Sequence, residues 1–233
     1  PGIIFFLLDG QRQRRMEEKM DTNNALIQLW DSKLIAIFRG VPKTEAGPVA
    51  RALAEGGIRF FEICLNHNSE SPKEEFQEQW EQVRKAVGRD ACVGAGTVLS
   101  VEQVEMVAQC GGQMIVSPCT NPAVIKRTKE LGLICIPGAM TPTEITLAYE
   151  AGADMVKLYV VEDPHYVSML RGPLGHIPIQ VTCNVNLHTI PEFLKAGVRA
   201  FGTKAMLPDD RIRAQDYAGI KKLAEAYVAA VQA

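Results

Sequence analysis

From Leu34 to the end of the chain, short apolar runs alternate with longer amphipathic segments, and the alternation repeats eight times. This pattern constrains the fold more than any other feature. Strands that each lead into a helix pair in parallel, and eight such units are what a closed (β/α)8 barrel needs, whereas an open doubly wound sheet usually stops sooner. The expected strands are Leu34–Phe38, Gly57–Leu65, Ala91–Val93 running into Gly94-Ala-Gly-Thr97, Gln113–Ser117, Gly132–Ile136, the run through Lys157, Ile177–Val181 and Gly197–Gly202. The expected helices are Lys43–Gly56, Ser71–Val87, one from Ser100 to near Gly111, Pro122–Leu131, one opening at Thr141, Pro164–Leu170, His188–Ala196 and a closing helix over roughly Arg213–Val231. Ser100 with Gln103, and Thr141 with Glu144, have the spacing of capping boxes, and Ser71 is suited to cap the helix that Pro72 opens.

The chain has 233 residues, 47% of them hydrophobic, which suits one α/β barrel, a TIM barrel read over 23–233. Residues 1–22 are read as a dispensable N-terminal extension. Its apolar stretch Ile3–Leu8 is too short to span a membrane, and its arginines follow the apolar run where a signal peptide carries them before it. The 25 Lys+Arg are scattered among 27 Asp+Glu, with no basic stripe of the kind nucleic acids require. Six cysteines without a C-x-x-C pair read as reduced core residues of a cytoplasmic protein. The histidines, His67, His165, His176 and His188, show no metal-ligand spacing, so neither a metal nor a cofactor is expected.

In a barrel of this type chemistry sits at the carboxyl ends of the strands, which gives weight to the polar residues there. Lys157 interrupts the apolar run Met155-Val-Lys-Leu-Tyr159. Burial disfavours an ammonium and favours the neutral amine that a Schiff base requires; the competing reading is a lysine that snorkels out at a strand end. Glu62 lies inside Phe60-Phe-Glu-Ile-Cys-Leu65, where an acid must be paired or functional. Arg39 closes an apolar strand and could grip a carboxylate in a bidentate fork. Ion pairs of Glu62 with Lys157 or Arg39 are the purely structural alternative. Gly94-Ala-Gly96-Thr97 is not a dinucleotide fingerprint, because Leu99 stands at the third glycine position; in a barrel Gly96 would let backbone approach a ligand, and Thr97 would offer it a hydroxyl. Ser117-Pro118 marks a further strand end.

These segments together resemble the metal-free pyruvate-type aldolases, the family of 2-keto-3-deoxy-6-phosphogluconate (KDPG), 4-hydroxy-2-oxoglutarate (KHG) and 2-oxo-3-deoxygalactonate 6-phosphate aldolases. The resemblance runs from about Leu34 to Leu207 and rests on Ala36-Ile-Phe-Arg-Gly40, Phe61-Glu-Ile-Cys-Leu-Asn66, Val93-Gly-Ala-Gly-Thr-Val98, Ile115-Val-Ser-Pro118, Ile136-Pro-Gly-Ala-Met-Thr-Pro-Thr-Glu144 and Val156-Lys-Leu-Tyr159. It implies that Lys157 forms the Schiff base and that Glu62 is the general acid/base, with Arg39 and Thr97 holding the carboxylate of a small 2-keto acid. It also implies a homo-oligomer, a trimer. The second strand leans toward the galactonate branch.

Two departures stand out. Tyr159-Val160 replaces the family's Phe-Pro, and Thr182-Cys-Asn-Val185 with Gly202-Thr-Lys204 replaces the glycines whose backbone N–H groups form a phosphate nest. Either Thr203 and Lys204 supply a hydroxyl and a charge in place of the nest, or the substrate is an unphosphorylated 2-keto acid. A diverged barrel that binds a small acid or a partner without catalysis is the alternative from another class. A phosphosugar isomerase would need a second strand-end carboxylate comparable to Glu62.

Overall fold

The computed structural model describes residues 22–233; the rest of the N-terminal extension lies outside the described residues. Parallel strands β1 (Leu34–Phe38), β2 (Phe60–Cys64), β3 (Cys92–Gly96), β4 (Met114–Val116), β5 (Ile134–Ile136), β6 (Gly138–Ala139), β7 (Val156–Leu158), β8 (Ile179–Val181) and β9 (Ala200–Thr203) form one sheet in the order β5-β4-β3-β2-β1-β9-β8-β7-β6. Pro137 alone separates the two ends of that order. It has no N–H to give to a ladder, but its carbonyl accepts from Lys157 N–H at 2.9 Å. β5 and β6 therefore act as one stave that pairs with β4 on one side and β7 on the other, and eight staves close the expected (β/α)8 barrel.

The helices are α1 (Thr22–Ser32), α2 (Lys43–Glu55), α3 (Pro72–Val87), α4 (Val101–Gln109), α5 (Pro122–Glu130), α6 (Pro142–Glu150), α7 (Pro164–Leu174), α8 (Ile190–Lys195), α9 (Asp209–Arg213) and α10 (Tyr217–Gln232). Both capping boxes form, at Ser100 with Gln103 and Thr141 with Glu144. Ser71 occupies its cap position without a side-chain cap bond, whereas Asn121 caps α5 through Ala123 N–H. The expected closing helix forms as α10, and Gln215 at φ +53° turns the chain between it and the short α9 that precedes it.

Burial separates into two layers, as strand alternation requires. Ala36, Phe38, Phe61, Ile63, Val93, Ile115, Val156 and Leu158 pack outward against the helices. Ile35, Phe60, Cys92, Met114, Val116, Ile134, Ile136, Met155 and Ala200 form a separate inner cluster that Ala25 and Leu29 of α1 plug from below. The sequence pattern did not announce α1, whose contribution to the core is confined to one narrow stripe.

A carboxylate secures the barrel where β5 meets the start of β7. Asp154 Oδ2 accepts from the Cys135 N–H at 2.8 Å and both its oxygens take the Lys129 ammonium, at 2.6 and 2.7 Å. Asp154→Ala strands the amide of a buried strand residue and leaves a half-buried lysine unpaired. Losing that much is expected to cost about 2–3 kcal/mol, visible in thermal denaturation as a Tm lower by roughly 4–12 °C.

Candidate active site

Alternation decides which polar side chains enter the barrel. Glu62 lies two residues after Phe60, and Lys157 two after Met155; both therefore point inward, above the apolar inner cluster. Glu62 is fully buried and Lys157 is 5% exposed. The carboxylate fits because β3 offers no side chain at Gly96, where a Cβ would come within 2.0 Å of Glu62 Oε1. Oε1 accepts a long bond from Cys64 Sγ at 3.6 Å, while Oε2 has no partner among the described residues. Burial, reinforced by the Glu62 carboxylate, pushes the Cys64 thiol up to about 12, so it stays protonated and able to donate. Among the described residues no ion pair joins Glu62 to Lys157 or to Arg39. The Lys157 Nζ stands 5.1 Å from the centre of the half-exposed Tyr159 ring, so Tyr159 is part of the amine's surroundings.

The mouth of the barrel brings Arg39 and Thr97 together. Arg39 Nη2 donates to Thr97 Oγ1 at 2.7 Å, and His67 Nε2 lies 2.8 Å from the Thr97 carbonyl oxygen. Thr97 holds φ +61°, an unfavourable conformation for a β-branched residue, costing of the order of 1–3 kcal/mol and tolerated where surroundings enforce it. Ser117 is buried at the end of β4, and the Pro118 backbone presses so closely on β6 that a Cβ on Gly138 would come within 2.3 Å of its carbonyl.

Thr203 and Lys204 separate in role. The Thr203 hydroxyl ties its own turn to the loop after β8, donating to the Val185 carbonyl and accepting from Ala205 N–H, both at 3.0 Å. Lys204 reaches the rim; its Nζ lies 3.9 Å from the position a Cβ on Gly40 would take, next to Arg39, and pairs with Asp209 at 2.8 Å. Asn184, in the altered loop after β8, adopts φ +52°.

One inward polar residue was overlooked in the sequence. Gln180 of β8 is fully buried, and it interrupts Ile177-Pro-Ile-Gln-Val181 as Glu62 interrupts its own run. The signal was present, but an amide raised no question of charge.

Among sequence families, the one described as KDPG and KHG aldolase matches residues 27–223. The chain belongs to this aldolase family. A probable 2-dehydro-3-deoxy-6-phosphogalactonate aldolase of Rhizobium meliloti is 36% identical over 177 residues, 75% of this chain and 81% of the relative. The 2-dehydro-3-deoxy-6-phosphogalactonate aldolase of Escherichia coli is 35% identical over 74% of this chain and 84% of its own length. The solved structure described as native KDPGal superposes with a TM-score of 0.74 at 32% identity, covering 85% of this chain and 94% of that one.

Proposed function

We propose that this aldolase-family chain is a Schiff-base lyase that cleaves a 2-keto-3-deoxy sugar acid, carried as its 6-phosphate, into pyruvate and glyceraldehyde 3-phosphate. The observation that carries the reading is the inward placement of buried Lys157 and Glu62 on the same barrel interior. Lys157 Nζ adds to the C2 carbonyl, and the carbonyl oxygen departs as water, leaving a protonated imine. Glu62 takes the proton of the C4 hydroxyl as the C3–C4 bond breaks. The electron pair of that bond flows into the iminium, giving an enamine and the free aldehyde. Protonation at C3 and hydrolysis then release pyruvate and restore the amine. Arg39, steadied by Thr97, is suited to the substrate carboxylate. The names of the two relatives above favour the galactonate configuration. Release of pyruvate from either 2-keto-3-deoxy-6-phospho acid, followed with lactate dehydrogenase, tests the reading; no release from either refutes it.

Lys204 is the group we assign to the phosphate, since Thr203 has spent its hydroxyl. Lys204→Ala is expected to raise KM for a 6-phosphorylated substrate roughly ten- to a hundredfold, the scale of one hydrogen bond between charged groups, with little change in kcat. KM for the unphosphorylated analogue should stay where it was. Equal effects on both substrates would remove the phosphate from this rim.

The same reading makes the enzyme cytoplasmic, independent of metal and cofactor, and trimeric. Apolar side chains left exposed on α6 and α7, Leu147, Tyr149 and Met169, support self-association. Light scattering during gel filtration gives the mass that decides it.

A further inference from the structure

Among the described residues, Gln180 is the inward polar side chain at the level of Lys157 to which the cleavage mechanism gives no task. Its Cα is the register partner of Lys157 on β7 and of Ala200 on β9, so amide and amine rise from neighbouring staves on the same inner face. Gln180 is fully buried, and neither Oε1 nor Nε2 has a partner among the described residues. Such a group weakens a fold unless something satisfies it; an apolar residue of the same length would pack there at lower cost. The barrel nevertheless makes room for it. Gly202 of β9 lies beneath the amide, and a Cβ there would stand 2.3 Å from Nε2. The same arrangement, an inward polar chain laid over a glycine of the next stave, holds Glu62 over Gly96.

We propose that Gln180 is a positioning residue for Lys157: its carboxamide is the neutral hydrogen-bonding group that holds the lysine nitrogen, directly or through one bound water, as it passes from amine to cationic iminium. A neutral acceptor suits this task. It stabilises the cation that develops on the nitrogen, yet it carries no charge that would hold the lysine beforehand as an ammonium in an ion pair. The inference rests on the Schiff-base reading and adds to it a residue that acts through Lys157 without touching the substrate.

The test compares the unaltered protein with Gln180→Met and Gln180→Glu. Each is measured for Tm, for kcat and KM in pyruvate release, and for the rate at which pyruvate and borohydride modify Lys157. Gln180→Met keeps the length and removes both polar atoms. We expect its Tm unchanged or raised, its kcat and trapping rate lower by roughly ten- to a hundredfold, the scale of one hydrogen bond to a charged group, and its KM little altered. Gln180→Glu keeps the stem but replaces the neutral acceptor with a charged one that holds the ammonium in an ion pair, so its trapping is expected to stay as slow as that of the Met variant or slower. A Met variant that traps pyruvate as fast as the unaltered protein overturns the proposal. So does one whose Tm falls together with its activity, which would make the amide a structural group, and so does a Glu variant that traps as fast as the unaltered protein. Failure of the unaltered protein to trap pyruvate would instead refute the Schiff-base reading itself, and the proposal with it.

Discussion

Borohydride added to the protein at saturating pyruvate is expected to leave a reduced three-carbon adduct on Lys157 and on no other lysine, read by peptide mass spectrometry. The expectation follows from placement. Lys157 is buried on the inner face of β7, near the uncharged ring of Tyr159 and without an ion-pair partner among the described residues, whereas Lys43, Lys129 and Lys204 are each engaged by a carboxylate. An amine with no anion to hold it is free to attack a carbonyl, and a carbonyl at the mouth of the barrel can reach it. Lys157→Arg keeps a cation on a long stem but cannot form the imine, so kcat should fall by roughly 10⁴-fold or more, the scale of removing a catalytic nucleophile. Its Tm should change little, because no hydrogen bond or ion pair is lost. Unmodified protein under these conditions, or appreciable turnover by the Arg variant, would place the chemistry elsewhere.

The second large effect concerns Glu62 and can be reached by two routes. Glu62→Gln preserves shape and burial and removes only the capacity to take and return a proton. kcat for cleavage should drop by roughly 10²–10⁴-fold, the usual range for a positioned acid/base. Gly96→Ala leaves the carboxylate chemically intact, but the added methyl would occupy the space of Oε1, 2.0 Å away, with Cδ only 2.7 Å off. The side chain must rotate away from its place, so this variant should lose activity on the same scale as Glu62→Gln while also losing stability, about 1–3 kcal/mol for the overpacking. Steady-state kinetics with thermal denaturation of both variants separates the two effects. If Gly96→Ala is as unstable as expected yet keeps full turnover, the position of Glu62 over Gly96 does not matter to the reaction.

Both predictions began as readings of interrupted apolar runs. A charged residue inside a buried strand violates the ordinary distribution of residues, and such violations mark function in a chain that is otherwise consistent. Lys157 and Glu62 stand out as candidates for that reason. Gln180 breaks its strand in the same way, but an amide carries no charge and passed as ordinary. Thr203 is the converse case. A hydroxyl beside a lysine at a strand end invites a binding role, and only the fold shows that Val185 and Ala205 already engage it.

The sequence by itself determined the succession of strands and helices, the two capping boxes and the eightfold count, because these depend on local periodicity and on bonds within a few residues. Tertiary structure alone decided which of two faces each strand turns inward, since a continuous apolar run carries no alternation from which to read it. It also decided that Pro137 divides one stave without opening the barrel, that α1 closes the lower end, and that Gly96 and Gly202 clear the space over which Glu62 and Gln180 lie. Each of these rests on residues far apart in the chain meeting at one level of the barrel, and the closure that brings them to one level is not encoded in any one segment.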